Sequence, residues 1–256
     1  MKNFDNGIHL AVRGGGVKSA AAIGVLKALE ELGIFVKSTS GASLGSIVSI
    51  LVANGFNSKE ILELFLEYNK VLTKGAIILG GKGSSVIEES VNKEIGNKTF
   101  QKLNIPCMIN ASYGTEWNPK LFLFSKETTP DITGGVACRA SASLQLIYFY
   151  YFKKIKSINN DSVIEKRYKF FDGGYSANPY IPNTNIPVIY STFCTSKKSK
   201  LKKNWQKTPL VAETSSDIVI KPYLGKIGVV GSCEDMKTAY NLSYEESKKV
   251  LTKLLR

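Results

Sequence analysis

Apolar and polar residues follow one another along the chain in blocks that predict strands followed by helices. Short apolar runs are typical of buried strands, and apolar positions that recur every three to four residues are typical of helices with one buried face. Gly33 is suited to end the first helix, and Ser58 is a candidate N-cap for the third. In the first part of the chain the pattern predicts strands at 8–12 and 34–39, and helices at 19–33, 44–55 and 58–72.

The rest of the chain continues this alternation. A glycine-rich stretch at 75–85 is predicted as a loop. Strands separated by helices indicate an α/β domain with a mostly parallel central sheet and helices on both faces. No internal repeat or linker divides residues 1–256, so we expect a single domain. The later predicted strands are at 105–113, 120–126 and near 168–171, 187–193 and 217–221, and the later helices are near 85–95, from about Asp131 and at 235–255.

The composition fits a globular protein with a sizeable core, since 43% of the 256 residues are hydrophobic and 21% are charged. The N-terminal residues lack the basic and apolar regions of a signal peptide. No uncharged apolar run approaches the roughly 20 residues of a membrane-spanning helix. We expect reduced thiols in a cytoplasmic protein, with no disulfide, metal or cofactor, because no CxxC spacing relates Cys107, Cys138, Cys194 and Cys233.

The formal net charge of +13 has a local source in residues 196–207 (SKKSKLKKNWQK). Such a segment can be no more than a solvated loop and helix face. It also suits the surface of an anionic membrane, to which the protein would then bind peripherally. Nucleic acid is a less favoured partner, because no recognised nucleic-acid-binding motif accompanies the charge.

The segment VRGGGVKSAAAIG at 12–24 places three consecutive glycines between a predicted strand and a predicted helix. A dinucleotide-binding loop would read GxGxxG, with an acidic residue about 20 positions later. Here Ser19 replaces the third glycine, and residues 34–40 contain no acid. A phosphate-binding loop of the form GxxxxGK[ST] fits no better, because valines stand at both of its glycine positions. Both nucleotide-binding interpretations are therefore weak.

A second glycine motif, GASLG at 41–45, has the form GxSxG at a predicted strand-to-helix junction. In this context the serine occupies a sharp turn, and Gly41 and Gly45 avoid collisions between neighbouring side chains. The following helix presents its N-terminal end, which favours negative charge. The motif predicts that Ser43 is a nucleophile, whereas the alternative is a tight glycine turn without a catalytic role.

A serine nucleophile requires a base, which is usually a histidine. The one histidine of the sequence, His9, lies within the first predicted strand, roughly 16 Å from the turn that follows it. We therefore expect His9 to be a structural strand residue. Asp172 directly follows an aromatic predicted strand and could act on Ser43 if that strand ends at the same edge of the sheet. The Asp-Gly pair is also a common turn signal.

Three blocks, GGGVKS at 14–19, GASLG at 41–45 and DGG at 172–174, resemble in this order the signature motifs of the patatin-like phospholipases. The similarity covers nearly the whole chain. Residues 137–150 resemble the Ala/Ser-rich block ahead of the family's aspartate, and 217–231 resemble a late strand segment of its small bacterial members. The resemblance implies the three-layer fold of that family.

The resemblance also implies a catalytic site without histidine. In this family a Ser–Asp dyad carries the reaction, so Ser43 would be the nucleophile and Asp172 the base, within the motif Asp172, Gly173 and Gly174. Lys18 would contact the lipid phosphate or the oxyanion, although a surface lysine in a first helical turn is an equally good interpretation. The backbone N–H groups of the oxyanion hole would come from Gly14, Gly15 and Gly16.

Two features depart from the family pattern. Ser19 stands where a glycine usually follows Lys18, and we expect little effect because serine can cap a helix. The segment LQLIYFYYF at 144–152 replaces a proline-containing stretch and is unusually aromatic. It is interpreted as a core strand or helix, or alternatively as an acyl-chain wall or membrane-contacting lip.

The reaction that the resemblance implies is hydrolysis of fatty-acyl esters of phospholipids or lysophospholipids through an acyl-enzyme, without metal or cofactor. Other lipid esters or thioesters are a second substrate class. A function of a different kind is a catalytically idle lipid- or nucleic-acid-binding module on the same fold. The presence of all three blocks favours the enzyme, and the sequence indicates no oligomeric state.

Overall fold

The computed structural model describes residues 4–78, 83–144, 150–159, 162–195 and 211–256. The basic segment 196–207 and most of the aromatic segment, residues 145–149, lie outside the described residues. Within the described ranges, no helix is both long enough and apolar enough to cross a membrane. The four cysteines are free thiols.

The described strands form one eight-stranded sheet in the order β5-β6-β3-β2-β1-β7-β8, with β4 paired to β3. The pairs β3–β2, β2–β1, β1–β7 and β7–β8 are parallel. The pairs β3–β4, β3–β6 and β5–β6 are antiparallel. The strand bounds are β1 Ile8–Val12, β2 Val36–Ala42, β3 Cys107–Gly114, β4 Pro119–Phe124, β5 Tyr151–Asn159, β6 Ser162–Phe171, β7 Val188–Ser191 and β8 Ile218–Ile220.

Helices pack around this sheet, so the predicted α/β class with a mostly parallel sheet is confirmed. Ile8, Leu10 and Val12 of β1 join the main hydrophobic core with apolar side chains of α1 and α2. Ala11, which lies between Leu10 and Val12 and points to the other side of the sheet, belongs to a second hydrophobic cluster with Val188, Tyr190 and Ala212. The helix bounds are α1 Ala21–Glu31, α2 Gly45–Ala53, α3 Ser58–Ile78, α4 Gly83–Glu94, α5 Gly134–Ser141 and α6 Cys233–Leu255.

The predicted loop at 75–85 is wrong at both of its ends. Helix α3 continues through Gly75 to Ile78 and α4 begins at Gly83, while residues 79–82 lie outside the described residues. The predicted N-cap of α3 is also displaced by one residue. The side chain of Asn57 accepts hydrogen bonds from the N–H groups of Lys59 and Glu60, while the Ser58 hydroxyl donates to Glu30.

The β5–β6 hairpin is longer than the sequence predicts, since a strand was expected near 168–171 and the segment 144–152 was interpreted as either a strand or a helix. Its two strands are paired along nine positions, from Tyr151 opposite Phe170 to Asn159 opposite Ser162. On β5, Tyr151 and Ile155 are buried, and on β6 only the last two residues are buried. Because most of the hairpin buries neither face, its sequence lacks the regular alternation by which a half-buried strand is predicted.

Strand β3 brings the ends of two other strands together. Ala42, the last residue of β2, pairs with Asn110, and Phe171, the last residue of β6, pairs with Ser112. Since β4 pairs with residues 109–114 of β3, both β2 and β6 lie on the opposite edge of β3. One strand is parallel and the other antiparallel to β3, so their C-terminal ends point at each other. The residues that follow them therefore meet.

Candidate active site

Ser43 lies in a strained turn between β2 and α2. Its φ of 51° is in the left-handed region, which non-glycine residues seldom adopt. The two flanking glycines leave no room for side chains: a Cβ at Gly41 would lie 2.6 Å from the carbonyl oxygen of Gly45, and a Cβ at Gly45 would lie 2.7 Å from that of Arg13. The GxSxG sequence thus forms the sharp strand-to-helix turn that it predicts.

Asp172 lies against the Ser43 hydroxyl. The Ser43 Oγ donates a hydrogen bond of 2.6 Å to Asp172 Oδ2, across a sequence separation of 129 residues. The other carboxylate oxygen, Oδ1, accepts the main-chain N–H of Gly174 at 2.9 Å. The structure therefore brings together the two residues that the sequence analysis paired, with the carboxylate held from both sides.

The environment of Asp172 makes it a better proton acceptor than an ordinary aspartate. The residue is fully buried. Burial penalises the carboxylate and raises its pKa from 3.8 to about 6, although the hydrogen bonds from Ser43 and Gly174 oppose the shift. A pKa of about 6 leaves the group mostly ionised at neutral pH and closer to the operating range of a general base.

The backbone of Ser43 is fixed by a chain of hydrogen bonds. Its N–H donates to Ser141 Oγ at 2.8 Å, and the Ser141 hydroxyl donates in turn to the carbonyl of Asn110 at 2.6 Å. Ser141 is the last residue of α5, and Asn110 lies on β3 opposite Ala42. The nucleophile turn is thus tied to the strand that aligns β2 with β6.

The glycine loop lies directly against the nucleophile. A Cβ on Gly14 would lie 2.7 Å from the Cβ of Ser43. The N–H of Gly14, however, donates to Asn178 Oδ1 at 2.7 Å. This hydrogen bond corrects the prediction that Gly14 serves as an oxyanion donor, because its N–H already has a buried partner. Within the described part of the chain, the N–H groups of Gly15 and Gly16 have no such partner.

Two cations share the ring of Phe193 beside this loop. The guanidinium carbon of Arg13 lies 4.3 Å from the ring centroid, and Lys18 Nζ lies 5.0 Å from it. Arg13 also donates from Nη1 to the carbonyl of Phe193 and to Thr192 Oγ1. Burial, and secondarily the charge of Arg13, lowers the pKa of Lys18 to about 8. Lys18 is therefore a half-buried side chain rather than a solvated surface lysine.

His9 is a structural residue of β1, as the sequence predicts. Its Nδ1 lies 2.8 Å from Ser38 Oγ and its Nε2 lies 2.9 Å from Ser40 Oγ, so both ring nitrogens have partners on β2. The side chain is fully buried, and burial lowers its pKa to about 4. Neither ring nitrogen contacts Ser43.

Sequence reasoning missed three residues that support this site: Arg13, Ser141 and Asn178. Ser141 lies in the Ala/Ser-rich block, but nothing in that block distinguishes it from Ser143. Asn178 is a buried amide that follows the Asp-Gly-Gly motif. Arg13 is a basic residue directly after the mostly apolar strand β1. The contrast between Arg13 and the apolar residues before it is the one signal in the sequence that could have identified one of the three. The partners of all three lie far away in the sequence.

Comparison with curated proteins finds short matches. The neuropathy target esterases sws of Drosophila sechellia and Drosophila melanogaster are each 38% identical to this chain over 69 residues. Those residues are 27% of this chain and 5% of either relative, so the chain matches only a small part of those proteins.

Solved structures share the fold across almost the whole chain. VipD from Legionella pneumophila has a TM-score of 0.59 at 13% identity, over 96% of this chain and 67% of that chain. A chain of the ExoU–SpcU complex from the type III secretion system of Pseudomonas aeruginosa has a TM-score of 0.56 at 16% identity, over 96% of this chain and 51% of that chain. At these identities the likeness concerns the fold.

The family model described as patatin-like phospholipase matches residues 10–183. The matched range is more than half of the 256 residues and includes the glycine loop, the nucleophile turn and Asp172. The chain therefore belongs to the patatin-like phospholipase family.

Proposed function

We propose that this protein is a serine lipid acyl hydrolase that cleaves fatty-acyl esters of phospholipids or lysophospholipids with Ser43 and Asp172 as a catalytic dyad. The observation that carries the proposal is the 2.6 Å hydrogen bond from Ser43 Oγ to the buried Asp172 carboxylate. Family membership supports a lipid as the substrate. A binding module without catalysis would not require a raised aspartate pKa next to a strained serine.

In the first half of the reaction, Ser43 Oγ attacks the carbonyl carbon of the ester while Asp172 Oδ2 accepts the hydroxyl proton. The tetrahedral intermediate then collapses and the C–O bond to the leaving alcohol breaks. Asp172 returns the proton to that alcohol, which departs and leaves an acyl group on Ser43. The preformed hydrogen bond supplies the geometry that general-base catalysis requires.

In the second half, Asp172 accepts a proton from a water molecule that attacks the acyl-enzyme. A second tetrahedral intermediate releases the fatty acid, and the proton returns to Ser43 Oγ. Water is the sole co-reactant, and the dyad ends in its starting state.

Negative charge develops on the carbonyl oxygen in both halves. The N–H groups of Gly15 and Gly16 remain the donors proposed to stabilise it, because the N–H of Gly14 is held by Asn178. Lys18, on the same loop, is the proposed contact for the lipid phosphate. Its half-buried position beside Arg13 concentrates positive charge next to the glycines.

A fluorophosphonate probe tests the nucleophile, since it reacts only with activated serines. We expect labelling of the native protein, none of Ser43→Ala, and strongly slowed labelling of Asp172→Asn. With phospholipid vesicles, Asp172→Asn should lose about 10²–10⁴-fold in hydrolysis rate, the usual contribution of a general base. Retention of more than about a tenth of the native rate would contradict the assignment of Asp172.

A further inference from the structure

The β5–β6 hairpin presents one face that is exposed along its whole length. Residues of an antiparallel pair alternate between the two sides of the sheet, and directly paired residues share a side. On one side every residue is exposed. We call this side the hairpin face, and its members are Phe152, Lys154, Lys156 and Ile158 on β5 and Val163, Glu165, Arg167 and Lys169 on β6.

The opposite side of the hairpin is anchored to the protein. Tyr151, Ile155 and Phe170 are buried in the main core. The guanidinium of Arg139 stacks on the Tyr151 ring at 4.3 Å, and the Tyr151 hydroxyl donates to Glu88. The hairpin is therefore held in place from one side near these residues, whereas Ser162, Ile164 and Lys166 at its far end are exposed on that side as well.

The hairpin face is strongly basic. It carries four cations and one carboxylate, which gives a net charge of +3. The carboxylate, Glu165, is paired with Lys154 at 2.7 Å. Lys156, Arg167 and Lys169 therefore supply the excess positive charge, and a surface with this charge is complementary to an anionic one.

Large apolar side chains accompany these cations. The exposed fractions of Phe152 and Val163 are 53% and 71%, and Ile158 pairs with Val163 at the far end of the hairpin. Exposed apolar residues interleaved with Lys and Arg are typical of surfaces that lie in the headgroup region of a bilayer. If this face contacted only water, exposure of these apolar side chains would be unfavourable and would not be compensated.

Protection of the sheet edge does not explain the apolar part of this composition. Strand β5 is the outermost strand, and lysines on an edge strand discourage pairing with other chains. The apolar members Phe152 and Ile158, however, lie on this edge strand, where exposed apolar side chains would favour pairing with other chains rather than prevent it. On β6, strand β3 pairs only with Phe170 and Phe171.

We propose that the hairpin face docks on the surface of an anionic lipid bilayer, with the cations on the lipid headgroups and Phe152 and Val163 inserted between them. The inference rests on the proposed lipid hydrolysis, for which it names the physical form of the substrate. It also uses the topology of the site: β6 ends at Phe171, directly before Asp172, so the docked strand leads to the candidate dyad.

The test measures binding to sedimented vesicles with the full chain carrying Ser43→Ala, so that no lipid is hydrolysed. The vesicles contain phosphatidylcholine alone or mixed with phosphatidylserine. Each cation near an anionic surface contributes roughly five-fold to the partition coefficient. The triple variant Lys156→Gln, Arg167→Gln, Lys169→Gln should therefore bind the anionic vesicles about 100-fold more weakly, with the difference shrinking at high salt.

The matched control removes the same charge elsewhere. Lys237, Lys249 and Lys253 are exposed on α6, and their joint replacement by Gln should leave vesicle binding nearly unchanged. The double variant Phe152→Ser, Val163→Ser should weaken binding several-fold at every salt concentration, because insertion is not electrostatic. Thermal melts of all variants confirm that they are folded.

Equal losses in the hairpin triple variant and the α6 control would overturn the proposal. So would equal binding of the Ser43→Ala protein to neutral and anionic vesicles, or binding to a nucleic acid in place of vesicles. Native protein that binds anionic vesicles through the hairpin face but releases no fatty acid would instead refute the proposed hydrolysis and leave the docking surface standing.

Discussion

The main-chain N–H of Gly14 donates a 2.7 Å hydrogen bond to the side-chain oxygen of Asn178. This contact ties the glycine loop after β1 to the loop that follows Asp172. Asn178 is itself held, because its carbonyl accepts the Tyr190 hydroxyl at 2.8 Å. Since Gly14 also lies against Ser43, the position of the proposed oxyanion donors relative to the nucleophile depends on Asn178.

Replacement of Asn178 by alanine should lower kcat about five-fold while KM changes little. The lost hydrogen bond is typically worth about 1 kcal/mol, and it positions groups that act mainly on the transition state. Steady-state hydrolysis of a soluble short-chain phospholipid measures both constants.

Tyr190→Phe is the matched control for this variant. It removes a hydrogen bond to the same residue but leaves the contact between Gly14 and the Asn178 side chain in place. If the two variants lower kcat equally, Asn178 acts through the general stability of its loop rather than through Gly14.

Gly15→Ala should lower kcat about 10²–10³-fold, the usual cost of losing one oxyanion donor. The reason is steric: a Cβ at this position would collide with the Phe193 ring. The loop must shift to relieve the collision, and its N–H groups shift with it.

The double variant Gly15→Ala, Phe193→Ala separates this displacement from other effects. Removal of the ring makes room for the new Cβ, so the double variant should recover much of the activity relative to Phe193→Ala alone. Failure to recover, in proteins that melt cooperatively, would show that the alanine harms the site by another route.

The sequence predicts the parallel part of the sheet better than the hairpin. In β1, four of the five residues are apolar and all five are buried, and such a mostly apolar run is typical of a strand that is buried on both faces. In β5, only Tyr151 and Ile155 are buried, and a spacing of four residues fits one face of a helix as well as one face of a strand. The glycines at 75–85 were interpreted as a loop because glycine is a poor helix former, but the helices include Gly75 and Gly83.

At the candidate site, the sequence contains the motifs but not their support. Ser43 and Asp172 could be paired because Asp172 directly follows a predicted strand and Ser43 lies in the turn between a predicted strand and a predicted helix. Their meeting depends on the register of β3, which places Asn110 opposite Ala42 and Ser112 opposite Phe171. The occupation of the Gly14 N–H depends on a residue 164 positions away. Local patterns hold no information about either relationship.

The pH dependence of hydrolysis should be bell-shaped. Only the ionised carboxylate of Asp172 accepts a proton, so kcat/KM should rise as pH increases through about 6. If the Lys18 cation binds the lipid phosphate, kcat/KM should fall again as pH passes about 8, where Lys18 loses its charge. Initial rates in buffers of constant ionic strength give both limbs.

Lys18→Met assigns the alkaline limb. The thioether preserves the contact with the Phe193 ring but has no proton to lose, so the variant should show a lower kcat/KM with the fall near pH 8 removed and the rise near pH 6 retained. An unchanged alkaline limb would exclude Lys18 as its source.

Folding stability should reveal the same buried groups, because His9 and Asp172 have opposite effects over nearly the same pH range. The pKa of His9 is about 4 in the folded protein and 6.5 when unfolded, so acid favours the unfolded state and stability is lost as pH falls from about 6.5 to 4. The pKa of Asp172 is about 6 when folded and 3.8 when unfolded, so stability is lost as pH rises from about 4 to 6. Each contribution is about 3 kcal/mol, and the two nearly cancel.

Two single substitutions should uncover these hidden contributions. In His9→Gln, whose amide can still bond to Ser38 or Ser40, the free energy of unfolding should increase by about 3 kcal/mol as pH is lowered from 6.5 to 4, because the Asp172 contribution remains. In Asp172→Asn it should decrease by a similar amount over that range, because the His9 contribution remains. Urea unfolding at several pH values gives these slopes relative to the native protein. Parallel pH profiles for all three proteins would mean that neither group is buried as the structure shows. Since His9→Gln leaves the dyad intact, its hydrolysis rate at neutral pH should stay within a few-fold of native.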